Sequence, residues 1–134
     1  MINSKIVKIA SFSNNAGLKY KYTHRSSIKN SLCGDFIKTE FIVDKQRIVS
    51  MRYETESCVL CEASASLFSK KIRNIKISDL IKDVKEFKKL SKNKKIRLPV
   101  KFKDFKPLIN PKYIKRLNCV ILPMEAFLKA FKVK

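Results

Sequence analysis

The chain predicts an α+β domain: about three antiparallel strands forming a sheet, with helices packed on one side. Three observations predict it. Residues 36–43 and 48–53 alternate apolar and polar side chains, the period of half-buried strands, around the polar turn Asp44-Lys45-Gln46-Arg47. From Cys58 onward the apolar spacing changes to that of helices. Strands followed by a run of helices belong to the α+β class, and with no internal repeat or linker, residues 1–134 read as one domain.

In chain order, Ile2, Ile6, Val7 and Ile9 form a helical stripe over residues 2–10, and Ser11 to Gly17 reads as a loop. Tyr20, Tyr22 and Ile28 are expected in a short first strand leading to a turn at Cys33. In the next strand Ile37, Thr39, Phe41 and Val43 face one way, and Lys38 and Glu40 the other. Its hairpin partner puts Val49, Met51 and Tyr53 on one side. Small residues at Ala63, Ser64, Ala65 and Ser66 let a helix over 58–71 lie close to the sheet. Ser78 is expected to cap a helix through Ser91, whose apolar face is Leu80, Ile81, Val84, Phe87 and Leu90. Lys92 to Lys95 is a basic loop, and the three prolines Pro99, Pro107 and Pro111 break residues 96–115 into short turns. A last helix begins near Cys119 or Pro123, with proline in the first turn, and presents Met124, Phe127, Leu128 and Phe131 to the core.

An apolar content of 45% describes a chain that buries a core. No apolar run reaches the roughly 18–20 residues of a membrane span, so a membrane is not among the expected partners. The net charge of +20, from 31 basic and 11 acidic residues, attracts anions. Lysine greatly outnumbers arginine, and no recognised nucleic-acid-binding signature accompanies it, so a basic nucleic-acid-binding accessory protein is only the third reading. Four cysteines without a secretory signal point to reduced thiols in the cytoplasm. The first acidic residue is Asp35, and the basic, serine-containing segment before it also fits an organellar presequence, which keeps an organellar matrix as an alternative.

Chemistry gathers at three stretches. Ser31-Leu32-Cys33-Gly34-Asp35 sets a thiol and a carboxylate on either side of one of the two glycines, whose backbone freedom lets both aim at one ion. Cys58 falls where the second hairpin strand gives way to a helix, and Cys119 at the start of the last helix. Helix N-termini favour the thiolate, the form that binds metal, so both are expected to have lowered pKa values. Three thiolates and a carboxylate suit zinc or an iron–sulfur centre. Cys58 and Cys61 form a C-x-x-C without the second pair a zinc ribbon needs, and Cys61 is not taken as a ligand. The single histidine, His24, is placed in a basic loop and excludes a convincing hydrolase triad.

Cys33-Gly34-Asp35, then Cys58 with Ala63-Ser64-Ala65-Ser66, then Cys119 before Leu122-Pro123 and a terminal helix, resembles the NifU/IscU/SufU-type iron–sulfur cluster scaffolds over residues 2–131. The resemblance implies the compact fold of the IscU/NifU N-terminal domain and a scaffold rather than an enzyme. It implies that sulfur arrives from a cysteine desulfurase, with Cys119 and Cys33 as candidate acceptors. A transient [2Fe–2S] cluster, or Zn2+, would then be held by Cys33, Asp35, Cys58 and Cys119 for transfer to recipient apo iron–sulfur proteins. A zinc-dependent persulfide relay on the same four residues is the alternative. Asn118 stands where the IscU branch has a histidine, Glu56-Ser57 replaces a glycine near the second cysteine, and Leu98-Pro99-Val100-Lys101 lies too far upstream of Cys119 to serve as that branch's chaperone motif. The long interval from Cys58 to Cys119, with Arg116 three residues before Cys119, is closer to the SufU-like branch. There Arg116 would steady thiolate or sulfide charge.

Overall fold

A computed structural model describes residues 4–11, 14–30, 34–89, 100–109 and 117–133. Helix α1 (Ser4–Ser11) is followed by strands β1 (His24–Lys29), β2 (Phe36–Asp44) and β3 (Arg47–Glu56), then α2 (Val59–Lys71), α3 (Ile77–Lys88), a 3₁₀ segment (Val100–Ile109) and α4 (Leu117–Ala130). The strands form an antiparallel meander in the order β1-β2-β3. Helices α2 and α4 cover one face of it, and α1 packs on α2. The α+β architecture read from the sequence is the observed one.

The β2–β3 hairpin turns at Lys45 and Gln46, both at positive φ (52° and 64°), the left-handed pair whose twist matches the strands it joins. Alternation holds on β2, where Ile37, Thr39 and Phe41 are buried. On β3 the register shifts between Ile42 and Val43: Ile42 faces Ser50 while Val43 faces Ile48. Val49 is the extra residue of a bulge and is 42% exposed, whereas Ile48 is fully buried. Simple alternation had placed Val49 inward with Met51 and Tyr53; one inserted residue reverses that.

The first strand begins at His24, after Tyr20 and Tyr22, which stand exposed outside it. The segment before it is held against the sheet by backbone. Gly17 N–H donates to Tyr53 O (2.7 Å) and Tyr53 N–H to Asn15 O (3.2 Å). The Arg52 guanidinium donates to the carbonyls of Asn14, Ala16 and Gly17 (3.0, 2.6 and 2.9 Å). Glu40 Oε1 accepts the N–H groups of Lys19 and Tyr20 (2.9 and 3.1 Å). Ala16 thus bridges Tyr53 in parallel at the free edge of β3, and the chain then crosses the outer face at Lys19 and Tyr20. Residues 14–20 form a strap, and Glu40, expected on the solvent side, is buried beneath it.

Helix α4 is buried around nearly its whole circumference; from Cys119 to Ala130 only Glu125 and Lys129 are not. It starts at Leu117, so Pro123 lies inside it rather than in its first turn. Ser26 Oγ donates to Ala126 O (2.7 Å) and Lys129 Nζ to Ser27 O (2.7 Å), which fastens α4 to β1. His24 is a strand residue stacked on the Phe131 ring (4.2 Å) rather than a loop residue. Helix α3 is capped at Lys76, with Ser78 already inside it; Leu90, Ser91 and the Lys92–Lys95 loop lie outside the described residues, as does Ile2. The 3₁₀ segment is kinked at Phe102 (φ −108°, ψ 16°), and Phe102, Phe105 and Leu108 are all buried. Two ion pairs, Lys71–Asp104 and Lys101–Asp83, join it to α2 and α3. Being largely exposed, they are worth little. The rings of Phe68, Phe87, Phe102 and Phe105, with centroids 5.2–6.0 Å apart, do most of the anchoring.

Candidate metal centre

Antiparallel register builds the site. Phe36 at the start of β2 pairs with Glu56 at the end of β3, so Asp35, one residue before, and Cys58, two residues after, emerge at the same end of the hairpin. Asp35 is set by the β1–β2 connection: Asn30 N–H donates to Asp35 O (2.7 Å) and Gly34 N–H to Asn30 O (2.8 Å). Gly34 has φ +76°, and a Cβ added there meets nothing within 4 Å, so backbone conformation rather than crowding calls for glycine. Cys58 is the N-cap residue of α2 in extended backbone (φ −71°, ψ 164°). Its N–H donates to Asp35 Oδ1 at 3.3 Å.

The third donor comes from α4. Cys119 is in its first turn and buried, beside the exposed Asn118. Ser64 of α2 donates its hydroxyl to the Val120 carbonyl, clamping the start of α4 onto the helix that Cys58 caps. Pro123, lacking an N–H, cannot supply the helical bond to the Cys119 carbonyl. Cys58 and Cys119 share a side-chain hydrogen bond.

One ligand atom each from Asp35, Cys58 and Cys119 lies within 4.8 Å of the others. A tetrahedral ion with metal–sulfur distances of about 2.3 Å spaces its donors about 3.8 Å apart, so small side-chain rotations close the group on one ion. Asp35 carries the sharper indication. It is only 7% exposed, yet its Oδ2 is buried with no hydrogen-bond partner among the described residues. A carboxylate oxygen taken out of water and left unpaired is strongly unfavourable, and a cation between it and the two sulfurs supplies what the protein does not. The residues fit a thiophilic cation.

Burial pushes the Cys58 thiol up, and the nearby Asp35 carboxylate pushes it further; the backbone N–H groups of Cys61 and Leu60 and the Cys119 side chain pull the other way without offsetting this. The lowering expected from the helix N-terminus is present but loses to desolvation. A cation must therefore displace a proton from Cys58 as it binds.

Asp35, Cys58 and Cys119, far apart in the chain, are brought together. Cys33 and Arg116 lie outside the described residues. Cys61 is fully buried in the apolar core and is not in the donor group. Ser64 was legible only as a packing or capping residue; which carbonyl it caps depends on the placement of α4.

Residues 3–104 match the family model of the NifU-like N-terminal domain. Comparison with curated proteins gives no significant match. Among solved structures, the chain is similar to a nitrogen-fixing NifU-like protein (N-terminal) from Brucella abortus, with a TM-score of 0.84 and 16% identity over 97% of this chain and 91% of that one. It is also similar to a protein assigned as an iron–sulfur cluster assembly scaffold for the SUF system from Fervidobacterium islandicum AW-1, with a TM-score of 0.80 and 20% identity over 96% and 94% of the two chains. At these identities the structural likeness is one of fold.

Proposed function

The chain belongs to the NifU-like N-terminal domain family, and from that premise we propose that it is an iron–sulfur cluster assembly scaffold. It receives sulfur from a cysteine desulfurase, gathers a [2Fe–2S] cluster as cargo and passes it to apo-proteins, acting as a carrier rather than as an enzyme. Cys33, Asp35, Cys58 and Cys119 hold the cargo; Cys119 and Cys33 accept sulfur, and Arg116, next to Leu117 in the chain, steadies the charge. Such thiol chemistry belongs in a reducing compartment, the cytoplasm or an organellar matrix.

The observation that carries this reading is the convergence of Asp35, Cys58 and Cys119, with a buried carboxylate oxygen that has no hydrogen-bond partner among the described residues. One hard oxygen among soft thiolates holds an iron–sulfur unit less firmly than a fourth thiolate would, which suits cargo that must leave.

The test is anaerobic purification with assay of iron, sulfide and zinc, then reconstitution with a desulfurase, cysteine, ferrous iron and a dithiol reductant that brings the persulfide sulfur to sulfide. Visible absorbance with equal iron and sulfide, lost in Cys58→Ala, is expected. Tightly bound zinc with desulfurase stimulation and no chromophore would assign the protein instead to the persulfide relay.

A further inference from the structure

The outer face of the sheet, which no helix among the described residues covers, carries a second set of features that the donor cluster does not use. Leu18 and Tyr20 of the strap, with Arg25, Lys38 and Glu54 of the strands, border a cleft of about 420 Å³, within the roughly 300–1,000 Å³ of small-ligand sites. Tyr20 is 79% and Tyr22 40% exposed, the two most prominent aromatic side chains left in solvent among the described residues. They alternate with lysine in the run Lys19-Tyr20-Lys21-Tyr22. The Arg25 guanidinium lies over the Tyr22 ring (5.1 Å) and the Lys38 ammonium over the Phe36 ring (5.7 Å), so cations and rings share one surface.

We propose that this face binds single-stranded nucleic acid, with a base stacked on Tyr20 at the cleft and the backbone phosphates along Arg25, Lys38, Lys19 and Lys21. Exposed rings interleaved with cations are what a flexible polyanion with a π-face on every unit selects. A purely anionic partner has no use for a tyrosine held almost wholly in water. The two carboxylates at the cleft set the track. Glu40 already accepts two strap N–H groups, and Glu54 sits opposite Lys38 on the β3 side, which turns a polyanion toward β1. The net charge of +20 strengthens its approach.

The test measures anisotropy of a labelled oligouridylate of about 12 nucleotides against a poly-glutamate peptide of equal charge, between about 50 and 200 mM salt. The oligonucleotide should bind with a slope of log affinity on log salt of about −1.5 to −3. Tyr20→Ala should weaken it about fivefold or more, while Tyr20→Phe, which keeps the stacking surface, should not. Neither exposed-residue change should alter metal content. No oligonucleotide binding at the lower salt, or binding indifferent to Tyr20→Ala, overturns the proposal. So does equal binding of the peptide, which would make the face a dock for an acidic protein.

Discussion

Two carboxylates are buried among the described residues, and they are treated oppositely. Glu40, under the strap, has one oxygen accepting two backbone N–H groups at 2.9 and 3.1 Å. Asp35, one residue before the same strand, accepts a longer bond of 3.3 Å and has its other oxygen buried without a partner among the described residues. The first is a satisfied joint that secures a loop. The second is left incomplete by the protein itself, with two thiols beside it. Burial alone therefore does not mark a functional acid; unpaired burial beside soft ligands does.

The largest expected effect is on the incomplete side. Cys58→Ala or Cys119→Ala should lower metal affinity by at least about a hundredfold in competition with a chelator, since even groups that only support ligands contribute 10–100-fold. Cys33→Ala should do the same. If metal survives there but is lost in Cys61→Ala, the contrast between donors and core thiol is broken.

Next comes the satisfied side. Glu40→Ala removes a charged acceptor from two N–H groups and should destabilise the protein by about 2 kcal/mol in urea titration. It should also speed proteolysis within residues 14–20 and leave metal content alone. An unchanged denaturation midpoint would show that Arg52 and the Tyr53 backbone hold the strap without Glu40.

A smaller effect follows from the Cys58 thiol. Its pKa is raised, so at neutral pH the empty site holds the proton and binding of a cation releases it. Affinity should rise with pH by about tenfold per unit for each thiol proton displaced, and it should flatten once pH exceeds the raised pKa. Isothermal titration in buffers of different ionisation heat checks the proton count.

Two changes sharpen the comparison with small numbers. Cys61→Ala empties a little core volume and should cost about 1 kcal/mol with metal retained. Asp35→Asn in the metal-free protein should raise stability by about 1 kcal/mol in urea titration, because it removes a buried charge; an unchanged or lowered midpoint would show that the carboxylate is already compensated.

Much of this was legible along the chain. Thr39 and Phe41 alternate because one face of β2 lies on the core, and that period survives any detail of packing. Asp35 and Cys58 were readable as neighbours once the hairpin was recognised, since antiparallel pairing returns the chain to its starting end. Other features were not readable. Val49 is exposed because of a bulge that belongs to the pairing of two strands, not to either alone. Glu40 looked solvated because a strand pattern does not reveal a strap formed by residues twenty positions away. Pro123 suits a first turn by local preference, yet α4 runs through it because the burial of ten of its residues outweighs one missing backbone bond.

The candidate donors, the hairpin that follows Asp35 and the helix that begins after Cys58 were legible from local rules: side-chain period, glycine beside a thiol and a carboxylate, and the chemistry of those groups. Only the tertiary structure decided that Cys119 reaches the other two and that Asp35 keeps an unpaired oxygen. It also decided that the Cys58 thiol is raised rather than lowered. Each of these is set by distance and exclusion of water, which arise only when elements remote in sequence are packed together.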